Sequence, residues 1–395
     1  MRLYLTALNP TDAVLDGFLP AAARLGLPVT VLTDQPAAWP ERPGVTVVGA
    51  DVRDVRAVLD VVQSGEPPMA VLSNSDHLQT PTALVAEYLG LPGKDWRAAL
   101  RSKDKRLTRR TLADAGLDTV AAVALGPDDD PDRAAGVPFP AVVKPREGVA
   151  SEDVYLVESP AELRRRIGEI RDRRPGLPLL VEEYLPGELH TLETLGDGRE
   201  LAVVGGWRTG LGSPPTFVEA SLDWAPDLPR PVRDQVLAQL AALGVGFGAC
   251  HTEFVVADGR ARIIEVNYRL IGDRMDLVLA ELLDVPLFEY VIQVHAGAPL
   301  PALPDPGSVD RHARVEYVCA DRPGTLVAAP DRLDAVAPDG TRLGIRPLRP
   351  LGVTAPLTGT NRDYLAALHA IGPDATAVAR ALRDLRAAHR WEIRG

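Results

Sequence analysis

The sequence predicts a mixed fold, an α/β N-terminal domain on a parallel sheet followed by α+β lobes, and three observations carry that prediction. Residues 1 to about 95 alternate short apolar runs with helical periods, the pattern of a parallel sheet with crossover helices. From about residue 98 to 180, a helix and an acidic loop lead into strand runs separated by a capped helix. Further on, HTEFVVADGRARIIEVNYR, His251 to Arg269, reads as two strands around a turn.

Taken in order, the first strands are RLYLTAL, PVTVLTD, VTVVGAD and AVLSNSD. Helices open near Asn9-Pro10 and at Asp54, and PTALVAEYLGLPG forms a last one that stops at Gly90 before Pro92. No GxGxxG follows the first strand, which argues against a dinucleotide site. SKDKRLTRRTLADAGLDT reads as one amphipathic helix closed by Gly116, and GPDDDPDRAAGV separates it from the strand PAVVKP. After DVYLVES a helix begins at Ser159, with Pro160 at its first position and Glu162 completing a capping box. LLVEEYLPGE opens a third lobe. WRTGLGSPPTFVEASLDWAPDLPRP is rich in Gly and Pro and reads as one long loop. Prolines crowd Pro299 to Pro306 as a linker, and the tail resumes with RHARVEYVCA and a final helix from Asp374. The expected divisions are 1–97, 98–180, 181–300 and 301–395.

Composition narrows the function. Lys and Arg total 43 against 54 Asp and Glu, and the net charge of -11 argues against nonspecific nucleic-acid binding. The start MRLYLTALNP is too soon interrupted for a secretory signal, and no apolar run approaches a membrane span, so the cytoplasm is the expected location. Cys250 and Cys319 are the only cysteines, which indicates neither a disulfide framework nor a zinc site. Lys94, Lys103, Lys105 and Lys144 are the only lysines, against 39 arginines. A chain that uses Arg for generic surface charge makes its few Lys positions candidates for work needing a compact point charge.

Within the hairpin, His251, Glu253 and Val255 share one strand face, and Ile263, Glu265 and Asn267 point together on the partner. A three-residue loop Asp258-Gly259-Arg260, with Gly259 left-handed, sets Glu253 opposite Glu265 and His251 opposite Asn267. A two-residue loop would put the carboxylates on opposite faces. Facing acids about 5 Å apart repel unless one is protonated or a cation lies between them. Glu253, Glu265 and the amide oxygen of Asn267 suit Mg2+, a hard cation often shared with substrate phosphates. The competing reading is a solvated hairpin with two exposed acids.

Two further stretches carry weaker signals. In PAVVKPREGVASEDVYLVES, Lys144 leaves an apolar strand into a loop holding Gly148, Ala150 and Ser151, where an ammonium and loop amides can hold phosphate oxygens. Lys105, a turn into its helix, is a second such candidate. LLVEEYLPGELHTLE offers a strand edge for a purine, with Glu182, Glu183, the Leu185 backbone, and Glu188 or His190 as base and ribose contacts. Arg208, Arg274, Arg311 and Arg314 are candidates for a bidentate clamp on a substrate carboxylate, with ordinary surface arginines as the competing reading.

The order of these pieces, a helix lysine, VVKP and its small-residue loop, EEYLPGE, HTEF and IIEVNYR, resembles the ATP-grasp superfamily, within it the carboxylate-amine ligases of biotin-carboxylase-like layout. The resemblance covers essentially the whole chain. It implies a parallel-sheet N-terminal domain, two α+β lobes gripping ATP, and a C-terminal extension. Carried over, it makes Lys105 and Lys144 the phosphate lysines, Glu182 and the Leu185 backbone the adenine contacts, and Glu188 or His190 the ribose contact. Glu253, Glu265 and Asn267 would hold Mg2+, with Mn2+ as an allowed substitute, and Arg269 would face the transferred phosphate. The phosphate loop departs from the glycine-rich family pattern in having only Gly148, and EVNYRLIGD lacks the family's Pro after Asn.

The implied reaction passes the γ-phosphate of ATP to a carboxylate and lets an amine displace phosphate from the acyl phosphate. The implied partners are small-molecule carboxylate and amine substrates, with no nucleic acid and no membrane; homodimerisation stays open. An amino-acid or peptide ligase of specialised metabolism is favoured over a biotin carboxylase. Two other readings compete: a nucleotide-binding regulatory or assembly protein without turnover, and a glycosidase using the facing carboxylates.

Overall fold

The computed structural model describes residues 1–395. β1 (Arg2–Thr6), β2 (Val29–Thr33), β3 (Val45–Gly49) and β4 (Pro68–Ser73) pair in parallel in the order β3-β2-β1-β4. The expected helix signals hold here: Asp54 caps Val55–Ser64 through its carboxylate, and Gly90 follows Gln79–Tyr88 with φ +65°.

The single amphipathic helix expected around Lys103 is two helices. Asp104 takes an extended conformation, ends Trp96–Lys103, and caps Lys105–Asp114 by accepting from Arg106 N. A capping Asp inside a charged stretch leaves the amphipathic period intact, so the break is silent in the sequence. Its consequence is that Lys105 begins a helix and Arg109 lies one turn on, both buried.

The small lobe is an antiparallel sheet of β5 (Ala122–Leu125), β6 (Ala141–Pro145), β7 (Tyr155–Val157) and β8 (Leu179–Glu183), in the order β5-β8-β6-β7. The helix Pro160–Arg173 covers it, burying Leu163, Ile167 and Ile170 against Val143 and Val181. Ser159 Oγ accepts from Glu162 N (3.3 Å) and Glu162 reaches back to Glu158 N (3.1 Å), so the capping box closes one residue early. β8 lies between two strands, so EEYLPGE is no sheet edge as expected; only the residues after Glu183 leave the ladder.

The large sheet contains β9 (Glu188–Asp197), β10 (Leu201–Gly205), β11 (Trp207–Leu211), β12 (Glu219–Trp224), β13 (Phe247–Ala257), β14 (Arg260–Asn267) and β15 (His312–Cys319). The stretch expected to be one long loop supplies β11 and β12. Their ends are anchored by Trp207 and Trp224, paired across the ladder with rings 5.2 Å apart. After the proline linker come β16 (Gly324–Ala328), β17 (Leu333–Val336), β18 (Arg342–Pro347), β19 (Thr354–Ala355), β20 (Tyr364–Gly372) and β21 (Glu392–Arg394). Three of these C-terminal strands, β17, β18 and β20, extend the large sheet, whose order is β14-β13-β9-β11-β12-β15-β20-β18-β17, with β10 on β9. One core joins this sheet to the N-terminal domain, with Leu5 and Phe18 in the same cluster as Trp207, Leu279 and Ala313. No helix is long and apolar enough to cross a membrane.

At the end of the sheet the expected register occurs for a different reason. The turn is two residues, Asp258 and Gly259, both left-handed (φ +52° and +73°), and Ala257 pairs with Arg260. That turn alone would set Glu253 against Ile264. A bulge at Ile264 inserts one residue between the Phe254↔Ile263 and Glu253↔Glu265 pairs, and so returns Glu265 to face Glu253 and Asn267 to face His251.

Candidate active site

The small lobe and the large sheet enclose a cleft lined by Lys105, Lys144, Ser151, Glu182, Glu183 and Leu185, with Glu253 and Glu265 on its floor. Beyond those two acids it continues into an inner chamber, where Asn267 and Arg269 meet His251, Glu219, Tyr317 and Asn361.

Charge in the cleft is arranged in two buried groups. Lys144 pairs with Glu182, and Arg109 grips the same carboxylate through Nε (2.8 Å) and Nη2 (3.2 Å). Burial alone would raise the Glu182 carboxyl, but Arg109 and Lys144 outweigh it and hold the group down at about 2. Lys144 is lowered by burial; Glu182 offsets part of this, while Arg109 and Lys105 add to it. An ammonium so short of anionic partners gains from a phosphate. The second group is Lys105, which donates to Glu265 Oε1 (2.9 Å) and Gly148 O (3.3 Å). Burial lowers its pKa, and the Glu265 carboxylate more than reverses the effect.

Glu182 therefore spends its carboxylate on two cations, and its expected role as an adenine contact gives way to one of holding Lys144. Leu185 retains the backbone part: Tyr184 N donates to Pro140 O, while the N–H and C=O of Leu185 make no hydrogen bond within the chain. Glu188 and His190 are not in the cleft. Leu189 between them lines it, and strand alternation sends its neighbours to the other face, where His190 stacks on Phe254 opposite it in the ladder. The expected ribose contact is thus misplaced by one residue of register.

The phosphate loop is tied down from outside. Ala150, Ser151 and Asp153 are left-handed, with φ of 56°, 55° and 56°. Such a conformation costs a side-chain-bearing residue about 1–2 kcal/mol. Ser151 Oγ donates to Phe217 O (2.9 Å), and Asp153 is held by Arg173 (2.7 Å) and Arg174 (3.0 Å).

The candidate metal donors Glu253, Glu265 and Asn267 are two carboxylates and an amide on one face. No three His, Cys, Asp or Glu side chains are arranged to hold a metal ion by themselves. Such a set fits Mg2+, which keeps water and shares phosphate oxygens, and does not fit a closed protein cage. Asn267 presents Nδ2 to Glu253 Oε1 (3.4 Å) and Oδ1 to Arg269 Nη2 (3.3 Å), so its amide must turn over to offer oxygen to a cation. His251 supports this floor: Nδ1 meets Glu193 (2.8 Å) and Nε2 lies 3.4 Å from Glu253. Burial lowers its pKa, but Glu193 and Glu253 lift it to about 10, so it stands as a cation beside Glu253. Glu219 in the chamber is pushed up to about 8 by burial and by Glu253 and Asp273.

The expected carboxylate clamp does not form. Arg208 is exposed on β11, Arg274 bonds Asp12 (2.7 Å) and Asp16 (3.4 Å), Arg311 donates to Leu282 O, and Arg314 holds Asp223 (2.6 Å) and Glu316 (2.7 Å). None lines the cleft or the chamber: Arg208 faces solvent, and the other three are taken up by partners that sequence alone does not show. Arg269 is the expected arginine that does reach the site.

No family model matches the chain. The uncharacterized protein y4rH of Sinorhizobium fredii is 27% identical over 374 residues, covering 89% of this chain and 76% of that protein. Carnosine synthase 1 of Gallus gallus is 29% identical over 252 residues, 56% of this chain and 27% of its own length, so the chain spans about a quarter of that relative. The L-amino acid ligase from Bacillus licheniformis superposes with a TM-score of 0.79 at 20% identity, covering 100% of this chain and 99% of its own. The chain has the ATP-grasp fold. The likeness to that structure extends over the whole chain.

Sequence reading of this site missed Arg109, Glu219, Asn361 and the His251–Glu193 pair. Arg109 was available as the residue four after Lys105, on the same helix face. His251 was available by sharing a strand face with Glu253. Glu219 was hidden in the stretch read as loop, and Asn361 comes from 142 residues further along the chain with no local pattern to mark it.

Proposed function

We propose that this protein is an ATP-grasp enzyme, an ATP- and Mg2+-dependent ligase that activates a small carboxylate, an amino acid, as an acyl phosphate and couples it to an amine, releasing ADP and phosphate. The observation that carries this reading is the facing pair Glu253 and Glu265 on the floor of the cleft that Lys105 and Lys144 also line. The names of the L-amino acid ligase and of carnosine synthase support amide formation between small molecules.

In this reading the Leu185 backbone meets the adenine edge, and Lys105 and Lys144 take phosphate oxygens. Mg2+ on Glu253, Glu265 and a turned Asn267 would neutralise charge on the transferring phosphate. The substrate carboxylate lies in the inner chamber, where its oxygen attacks the γ-phosphorus and ADP leaves. Arg269 lines the chamber and in this reading would stabilise the charge on the transferred phosphoryl group. The amine then attacks the acyl carbon, phosphate leaves with the former carboxylate oxygen, and the amine nitrogen loses a proton. Incubation with Mg-ATP and pairs of amino acids should release ADP and phosphate in step with a new amide. Stoichiometric AMP and pyrophosphate would overturn the reading.

A further inference from the structure

The segment Thr358–Asp363 in the C-terminal part sits between the phosphate loop and the inner chamber. It is a self-contained turn: Asp363, 3% exposed, accepts from Thr358 N (3.0 Å), Thr358 Oγ1 (2.9 Å) and Gly359 N (2.6 Å). On one side it reaches the loop, where Asn361 N donates to Ala150 O (3.1 Å) and Arg362 pairs with Glu152. On the other it reaches the chamber. Asn361 Oδ1 accepts from Glu219 N (3.2 Å), and Nδ2 donates to Glu219 Oε2 (3.4 Å).

Asn361 thus bonds both a chamber wall and the loop. The loop it holds is the one with three left-handed non-glycine residues, a conformation that persists only while outside contacts impose it. Ala150, the first of the three, is held at its carbonyl by Asn361.

We propose that Asn361 is a positioning residue and that Thr360–Arg362 is a latch, tying the phosphate loop to the inner chamber so that closure over nucleotide and filling of the chamber are coupled. The coupling rests on the ligase reading; the latch belongs to the chain by itself. A ligand that engages Glu219 shifts the Asn361 amide, and the rigid turn carries that shift to Ala150.

The test uses the full chain and two readouts: hydrogen exchange of residues 147–153 without nucleotide, and Mg-ADP binding by calorimetry. Arg362 is 63% exposed, so reversing it is tolerable to folding and its ion pair contributes modestly. Arg362→Glu and Glu152→Arg should each speed loop exchange about three-fold, and the two together should return it toward wild type. Asn361→Ala keeps the backbone N–H on Ala150 O but removes both side-chain bonds to Glu219, so it should speed exchange through the loosened turn and weaken Mg-ADP binding. Loop exchange unchanged in Arg362→Glu and Asn361→Ala, or a double reversal as fast as the single variants, would overturn the latch. If no variant and no wild-type protein binds Mg-ADP while exchange follows the expected pattern, the ligase reading falls and the latch stands.

Discussion

Glu182 lies between Lys144 and Arg109 at 2% exposure, where water cannot replace either partner. Removing its charge leaves two buried cations uncompensated, so Glu182→Gln should cost about 3–5 kcal/mol, read as a lower urea midpoint. The effect has a definite pH dependence. The folded carboxyl titrates at about 2 against an ordinary value of 4.5. A depressed carboxyl contributes stability above its unfolded pKa and loses it as pH falls through the folded one. The gap between wild type and Glu182→Gln should therefore be full above pH 4.5 and close toward pH 2; a constant gap would contradict the assignment. At the metal floor, Glu265→Gln should lower turnover about 100-fold or more while the chain stays folded, checked by steady-state rates at saturating Mg2+. Lysine rarity was enough to mark Lys105 and Lys144 in the sequence. The arginines were not legible, since the partners of Arg274, Asp12 and Asp16, lie some 260 residues away.

The hairpin β13–β14 places its two acids by a bulge and not by turn length. The Asp-Gly turn was readable because both positions need positive φ, which that dipeptide favours. The bulge was not readable, because an extra residue changes pairing without changing composition. Its consequence is testable: deleting Ile264 removes the extra residue, and the two-residue turn alone then sets Glu265 opposite Glu253 and Asn267 opposite His251. The variant should keep the Mg2+-dependent part of the thermal shift given by ADP. Loss of that shift would show that the two acids need more than their register to form the site. The same limit explains β11 and β12, whose Gly and Pro content masked strands anchored by Trp207 and Trp224.

Across the whole molecule, chain order was the most informative feature, because lysine helix, lysine strand and carboxylate hairpin are brought to one cleft from three parts of the chain. What order could not show is the closing of the chamber by the C-terminal part, whose strands extend the large sheet and whose Tyr317 and Asn361 face the same space as Arg269. Nucleotide binding should stabilise all of this at once. At a hundred-fold excess over Kd, Mg-ADP should add about 2.7 kcal/mol to unfolding, and a single cooperative transition should move as a unit. The central claim is that Glu253 and Glu265 jointly hold a divalent ion that carries nucleotide phosphates between Lys105 and Lys144. Its most direct measurement is a crystal structure with Mn2+ and ADP, using the anomalous signal of the metal. The account predicts a peak between those two carboxylates, bonded to a phosphate oxygen; a peak elsewhere, or ADP bound outside the cleft, would contradict it.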